Sequence, residues 1–233
     1  GYFNAIEKPG DGAVHPVKLA QAVLRESDAD FIPNNEVYDI QQPAHDVVMV
    51  YSRKWIFRAR QVLLCTNGYS PLLNPYFKGK IIPTRGQVMV TEPLSERPLQ
   101  QVCYSRYGYM YFRSTFDNRL LIGGCRDLFR TLEHDTTEDR LTMPVQDALD
   151  EYYATRFPEL KVPIAQRWSG IMGFSIDGLP LVGMLPQLPR VGFVAGFTGH
   201  GLSLGAGTAR RAVDYLLKAA SLGSLDAKRL DQA

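Results

Sequence analysis

The sequence predicts a mixed α+β protein, and three observations carry that expectation. Short apolar runs broken by polar residues recur across 30–65 and again across 81–124, which is how strands read. Apolar residues return at three- and four-residue intervals in 16–26, in 144–157 and after Gly201, the spacing of amphipathic helices. The patterning also switches after Ile82, from buried-strand runs to alternating ones, and switches back after Lys161. Two interleaved parts are therefore expected. One combines residues 1–80 with 165–233. The other, 81–164, is an antiparallel sheet with one helix.

The elements follow in order. Residues 1–15 are irregular, with Pro9-Gly10-Asp11-Gly12 as a turn. Pro16 suits the first position of a helix whose apolar side is Val17, Ala20, Val23 and Leu24. Strands are expected at 31–32, 37–40, 47–51, 55–57 and 62–65, the last running into the turn Thr66-Asn67-Gly68-Tyr69. A second set is expected at 81–82, 87–91, 107–113 and 120–123, with Asp117-Asn118 as a hairpin turn. The helix at 144–157 opens on Pro144 and is closed by Pro158. Strands at 167–174 and 191–195 follow. The Gly-rich turn 196–201 then leads into a final helix with Leu202, Ala206, Ala209, Val213 and Leu216 on one side.

Composition narrows the function classes. Apolar residues make up 45% of the 233 and charged ones 21%, which is globular rather than disordered or fibrous. Lys and Arg number 26 against 24 Asp and Glu, and the resulting +2 gives no support to a nucleic-acid partner. No apolar run approaches the ~18 residues of a spanning helix, so no integral membrane segment is expected. The four histidines are scattered and Cys65, Cys103 and Cys125 have no metal-ligand spacing, so no metal site is expected. Three cysteines in apolar surroundings read as reduced, mostly buried thiols of a cytoplasmic protein. The opening residues do not read as a secretory signal, and a chain that starts on Gly1 reads as a piece of a larger protein.

Three constellations could carry chemistry. In Gly196-Phe197-Thr198-Gly199-His200-Gly201, glycines permit close approach of backbone to a ligand, and the next helix aims its free amides and positive dipole end back at the turn. The same turn could simply pack a helix onto a sheet. It is not a nucleotide P-loop, because no Lys-Ser or Lys-Thr follows the glycines. The strand at 62–65 ends in Thr66-Asn67-Gly68, and ligands of doubly wound sheets sit beyond such strand ends. Between Tyr104 and Phe116, aromatics interleave with Arg106 and Arg113, with Tyr107, Tyr109 and Tyr111 expected on one face of a strand. That density suits either a small-molecule pocket or ordinary sheet core.

Taken in order, these pieces resemble the D-amino acid oxidase superfamily of flavoproteins, which includes glycine, sarcosine and γ-glutamylputrescine oxidases. The resemblance runs through Gly12-Ala13-Val14-His15-Pro16, Leu63-Leu64-Cys65-Thr66-Asn67-Gly68-Tyr69-Ser70, Pro83-Thr84-Arg85-Gly86-Gln87 and Arg119-Leu120-Leu121-Ile122-Gly123-Gly124. It continues through Trp168-Ser169-Gly170 to Asp177-Gly178-Leu179-Pro180-Leu181-Val182-Gly183, and through the turn at 196–201. It is nearest the γ-glutamylputrescine oxidase-like branch. It implies an FAD-dependent oxidation of a C–N bond in an amine or amino-acid-like substrate, with hydride passing to the flavin. Residues 1–80 with 165–233 would then be part of a Rossmann-type FAD-binding domain, and 81–164 the substrate domain.

The resemblance also implies the site. Val37 would meet the adenine with its backbone, Thr66, Asn67 and Gly68 would contact the dinucleotide, and Ile171 and Met172 would lie against the flavin. Thr198, Gly199, His200, Gly201 and Leu202 would bind the flavin, with the backbone from Gly199 to Gly201 stabilising the reduced ring. Tyr111, Arg113 and Met172 would meet the substrate, Arg113 through an acid group remote from the amine. No catalytic acid–base residue is assigned.

The departures matter as well. The family's G-x-G-x-x-G turn, which holds the FAD pyrophosphate, does not occur in the sequence. The stretch 170–177 holds no cation for a substrate carboxylate and no cysteine for a covalent flavin, so FAD is expected to be non-covalent. The resemblance thus implies the carboxyl-terminal part of a larger flavoprotein, with self-association or a separate Rossmann segment covering it. Two other classes stay open: a non-catalytic subunit of the same fold, and a binding domain for a different small molecule.

Overall fold

A computed structural model describes residues 4–231, so the expectations for 1–3 and 232–233 lie outside the described residues. The elements are α1 (Pro16–Arg25), β1 (Val37–Ala44), β2 (Val47–Ser52), β3 (Ile56–Ala59), β4 (Val62–Leu64), α2 (Ser70–Leu73), β5 (Ile81–Thr91), β6 (Cys103–Ser105), β7 (Met110–Ser114) and β8 (Leu120–Gly124). There follow α3 (Arg130–Glu133), α4 (Met143–Arg156), β9 (Ile164–Ser175), β10 (Leu181–Leu185), β11 (Leu188–Ala195) and α5 (Gly201–Lys218). The fold is mixed α+β. The chain divides into two units, Gly1–Leu19 with Arg85–Ile171, and Ala20–Thr84 with Met172–Ala233. The divisions fall within β5 and within β9.

In the first unit the sheet runs β6-β7-β8-β5-β9, with β6–β7, β7–β8 and β5–β8 antiparallel. Along β7 the alternation is clean: Met110, Phe112 and Ser114 are buried, Tyr111 and Arg113 half-buried. The inward side chains meet Leu120 and Ile122 of β8 and Val145 and Leu149 of α4 in one core. Fully burying an aliphatic or aromatic side chain of this kind contributes roughly 1.5–3 kcal/mol. Beside that core lies a polar one, in which Arg85, Gln87, Glu133, Thr142 and Gln146 are all buried. Gln87 Nε2 donates to Glu133 Oε2 at 3.1 Å, and Thr142 Oγ1 donates to Glu133 Oε1 at 2.7 Å. Gln146 Nε2 donates to Gln87 Oε1 at 2.9 Å and accepts Arg167 Nη1 on its own Oε1 at 2.8 Å.

The second unit holds two sheets. One is the antiparallel β1-β2-β3. In the other, β10-β11-β4, β11 pairs antiparallel with β10 and parallel with β4, Gly192 opposite Leu63. Phe77 and Phe193 meet edge to face, centroids 4.9 Å apart, amid Leu64, Ile81, Leu181 and Leu185. α5 adds a smaller core of Ala212 against Val182, Val194 and Leu222.

Three expectations are corrected, and α5 shows which of its sides packs. Residues 31–32 form no strand. Tyr107 and Tyr109 do not share a strand face with Tyr111, because Arg106, Tyr107 and Gly108 all have positive φ (50°, 57° and 85°) and β7 begins only at Met110. Cys65 is exposed and Cys103 half-buried; Cys125 alone of the three is buried. On α5, Leu202, Ala206, Ala209 and Val213 are exposed, whereas Thr208 and Ala212 are buried. Small side chains on that inner face let the helix lie close to the sheet, where Leu216 packs against Gly192 of β11.

Candidate functional site

The Gly-rich turn after β11 lies within the second unit and is held by neighbours far away in sequence. Gly196, Thr198 and Gly199 have φ of 74°, 51° and 80°, so the chain is in the left-handed region at three of four consecutive positions. A glycine at 199 meets that demand without strain, and the space around it is open, with only Phe174 Cζ at 3.9 Å from a Cβ placed there. The strained member, Thr198, is secured by its bonds. Its amide donates to Gly173 O at 2.9 Å, and its Oγ1 accepts the Ser175 amide at 3.3 Å. Phe174 and Phe197 form an antiparallel bridge alongside.

Asn67 brings in the turn that follows β4. Its Oδ1 accepts the Gly196 amide at 3.0 Å. β9 admits this approach only through Gly173, where a Cβ would lie 2.5 Å from Asn67 Oδ1 and 2.9 Å from the Gly68 nitrogen. Thr66 Oγ1 and Ser70 Oγ, 2.9 Å apart, close the turn on its other side. The structure therefore links Asn67 and Thr198 through hydrogen bonds to Gly196, with Thr66 and Gly68 beside them in the turn after β4.

From this assembly α5 departs. No side chain caps its start and no acidic residue stands in its first turn. The Leu204 amide is the one that returns to His200 O, at 3.0 Å, so the amides of Gly201, Leu202 and Ser203 point ahead of the helix. His200 Nδ1 lies 2.8 Å from Thr198 O, which makes the imidazole a brace of the turn. Gly199, His200 and Leu202 are exposed. Left-handed backbone followed by an uncapped helix start favours negative charge and admits a flat ligand close to the main chain.

The remaining expected residues stand elsewhere. Val37 opens β1 opposite Ser52 and shares no hydrogen bond with the turn among the described residues. Met172 and Ile171 are half-buried on β9, Ile171 ending the first unit's later segment and Met172 beginning the second's. Tyr111 and Arg113 belong to the first unit. The Tyr111 ring lies across Gly123 of β8, its cross-strand neighbour, where any Cβ would collide with it. Its other neighbour is Tyr104, ring centroids 6.4 Å apart. Burial pushes the Tyr111 phenol up, with Arg126 pulling it back in part. Arg113 Nη1 donates to Val14 O at 2.9 Å, which anchors the guanidinium at the end of the same sheet face.

The sequence reading missed the parts played by Gly173 and Ser175 of β9 and by the acceptor of Asn67. Their partners lie more than twenty residues away, so no local pattern displays them. Among the described residues no group of His, Cys, Asp and Glu could hold a metal ion, and no helix is long and apolar enough to cross a membrane.

Residues 1–215 match the family described as FAD dependent oxidoreductase. The chain is similar to γ-glutamylputrescine oxidoreductase of Escherichia coli (strain K12), 30% identical over 215 residues, covering 87% of this chain and 47% of that protein. It is similar to a probable oxidoreductase, OrdL, of Rhizobium meliloti (strain 1021), 27% identical over 212 residues with the same shares covered. The chain thus spans about half the length of these curated relatives. Among solved structures, L-proline dehydrogenase from P. horikoshii superposes with a TM-score of 0.75 at 22% identity, over 93% of this chain and 59% of that one. At that identity the likeness is one of fold.

Proposed function

The chain belongs to the family of FAD dependent oxidoreductases, and from that premise we propose that it is the part of a flavoprotein that receives the isoalloxazine and the substrate, and that the protein oxidises a C–N bond of an amine. The observation that carries the reading is the uncapped start of α5 behind the left-handed Thr198-Gly199 turn.

The residues present fit the group. A flat ring needs main chain without side chains in its way, and Gly199 and Gly201 offer that, with no protein atom within 3.6 Å of a Cβ at either. An electron-rich ring edge needs donors and no competing carboxylate, and α5 opens with three forward amides and no acid. When bound, the flavin supplies the two-electron acceptor for the C–N oxidation. The amides of Gly201, Leu202 and Ser203 would be the donors available to negative charge on such a ring. Thr66, Asn67 and Gly68, with Val37, are assigned to the FAD-binding part, expected over 1–80 with 165–233, of which 20–80 and 172–233 lie together in the second unit while 1–19 and 165–171 go with the first; Ile171 and Met172 would line the flavin. No residue needs to act as acid or base for that step.

Residues 81–164 form the substrate part. Tyr111, held flat on Gly123, offers an aromatic wall, Met172 lines the amine end, and Arg113 takes a carboxylate remote from the amine. A γ-glutamyl amine carries such a carboxylate, which agrees with the name of the relative from Escherichia coli. The free cysteines suit a reducing, cytoplasmic setting. The exposed apolar stripe of α5 suits self-association or a cover from the rest of the flavoprotein.

The test is anaerobic reduction. FAD is added to the protein and the visible flavin band followed on addition of γ-glutamylputrescine or of glycine. Bleaching by the first and much slower bleaching by the second is the expected result. No bleaching by any amine, with flavin bound, would instead make this a non-catalytic module of the same fold.

A further inference from the structure

We propose that Asn67 is a positioning residue that never touches the cofactor: its side-chain carbonyl sets the left-handed turn at Gly196, and through that turn it aims the first amides of α5. The inference rests on the flavin reading of that helix start.

Three segments meet at this side chain. Asn67 itself has φ 43°, a conformation asparagine tolerates better than most residues, so its side chain is directed by its own backbone. Oδ1 takes the amide of Gly196 across 129 positions of sequence. Gly196 is buried, so without this acceptor its N–H would have neither protein nor water as partner. Gly173 makes room for the contact, and the carbonyl of the same glycine takes the Thr198 amide at 2.9 Å. Asn67 and Gly173 thus bracket the turn, one on Gly196 and one on Thr198. His200 then starts α5 two residues later. A shift of Gly196 is passed along a segment with three left-handed residues in four, and such a segment has few alternative conformations.

With Oδ1 engaged in this way, only Nδ2 is left to offer a dinucleotide, and setting the turn is a different role from the cofactor contact implied by resemblance. Two readouts decide between them in the full 233-residue chain. The first is amide hydrogen exchange at Gly196, Thr198 and Gly201, which needs no flavin. The second is FAD affinity by fluorescence quenching. Asn67→Ala is expected to speed exchange at Gly196 and Thr198 about tenfold or more, because the turn opens locally without its acceptor. Asn67→Asp keeps an acceptor oxygen and is expected to restore exchange to within about threefold of the wild type, whereas FAD affinity is compared between the wild type and Asn67→Ala, because the carboxylate of Asp would itself repel an electron-rich ring. Ser70→Ala, which removes a bond of the same loop but not the turn's acceptor, is expected to leave exchange unchanged. Should Asn67→Ala not fold, Asn67→Ser, whose hydroxyl is too short to reach Gly196, takes its place. Unchanged exchange at Gly196 and Thr198 in either variant overturns the proposal. So does wild-type FAD affinity in Asn67→Ala with exchange speeded, because the turn would then not be what aims the helix at the ring. A wild-type chain that takes up no FAD counts against the flavin reading, and the exchange arm still judges the role of Asn67 in aiming the helix.

Discussion

Arg85 and Glu133 form an ion pair sealed inside the first unit, each side chain 1% exposed. Arg85 Nε donates to Oε2 at 2.9 Å and Nη2 to Oε1 at 3.2 Å, and two further guanidinium donors, on Nη1 and Nη2, reach the carbonyls of Glu138 and Leu132. A buried pair of this kind says little about net stability, but removing one partner strands the other charge without water. Glu133→Ala is expected to cost about 3–5 kcal/mol. Replacing both partners by apolar residues of similar size is expected to cost much less than the sum of the single changes. Urea unfolding of the four proteins of that cycle is the measurement; a loss below about 1 kcal/mol in Glu133→Ala would show the site open to solvent.

The same carboxylate gives an acid-stability expectation. Burial pushes the Glu133 carboxyl up, but hydrogen bonds from Arg85, Thr142 and Gln87 outweigh it and hold the group below its ordinary range. Its folded value therefore lies below its unfolded one, ~4.3. The contribution is fully present above the unfolded value and is lost as pH falls through the folded one. Asp177, hydrogen-bonded by Arg229 at 2.6 and 3.0 Å, is held low for a similar reason and adds in the same direction. Unfolding free energy should thus fall steeply below about pH 4 and be nearly flat from there to neutrality, as far as these groups are concerned. Glu133→Gln should flatten the acid limb, which chemical denaturation at a series of pH values would reveal.

The three long helices and most strands are legible because their signals are local, whereas the four-residue helices α2 and α3 are too short to show a periodicity. Pro16 and Pro144 mark helix starts, and the alternation from Met110 to Ser114 survives in the burial of β7. What failed needed information from elsewhere in the chain. β10 contains Gly183, which weakens a strand signal, and it forms because β11 pairs with it. The three left-handed residues at 106–108 include an arginine and a tyrosine, which no turn rule would place there. On α5 the recurrence of apolar residues does not mark the packed side, because the side that packs, with Thr208 and Ala212, is the one small enough to approach the sheet. The turns at 66–68 and 196–201 were visible as candidate site segments, but that Asn67 joins them was not.

Gly199→Val tests the turn directly. A valine at φ 80° is strained, and its branches would stand where the backbone must be approached. The position is exposed and supports no core, so the fold should persist with a loss of about 1–3 kcal/mol. FAD affinity or flavin reduction rate should fall at least about tenfold in the holoprotein. Unchanged flavin content and turnover would reduce the turn to a packing element.

The outer stripe of α5 carries a second expectation. Leu202 is 63% exposed and Leu217 69%, with Val213 between them, an apolar line along an 18-residue helix. Contiguous apolar surface of that kind promotes association. Val213→Lys with Leu217→Lys should weaken concentration-dependent association of the chain about tenfold or more in sedimentation, with thermal stability nearly unchanged because neither side chain is buried. An association unaffected by both changes would place the contact on another face.

The affinity of the chain for FAD can be bounded from its motifs. In a Rossmann unit the pyrophosphate rests on a G-x-G-x-x-G turn opening a helix, and no such run occurs in the 233 residues. The helix start at Gly201 is assigned to the ring, so it is not available to the phosphates. Charge-assisted hydrogen bonds contribute ~1.5–3 kcal/mol each, so two or three fewer of them weaken binding by about 5 kcal/mol. That is nearly four powers of ten in affinity. Non-covalent FAD is therefore expected to bind this chain with a Kd above about 1 μM, whereas a polypeptide supplying the missing turn should tighten it. Fluorescence-quenching titration with FAD and with riboflavin separates the contributions. Similar constants for the two would mean that the ring supplies nearly all of the binding, as expected. A sub-micromolar Kd for FAD with much weaker riboflavin would show that these residues already hold the phosphates, and the assignment of the α5 start to the ring would have to be given up.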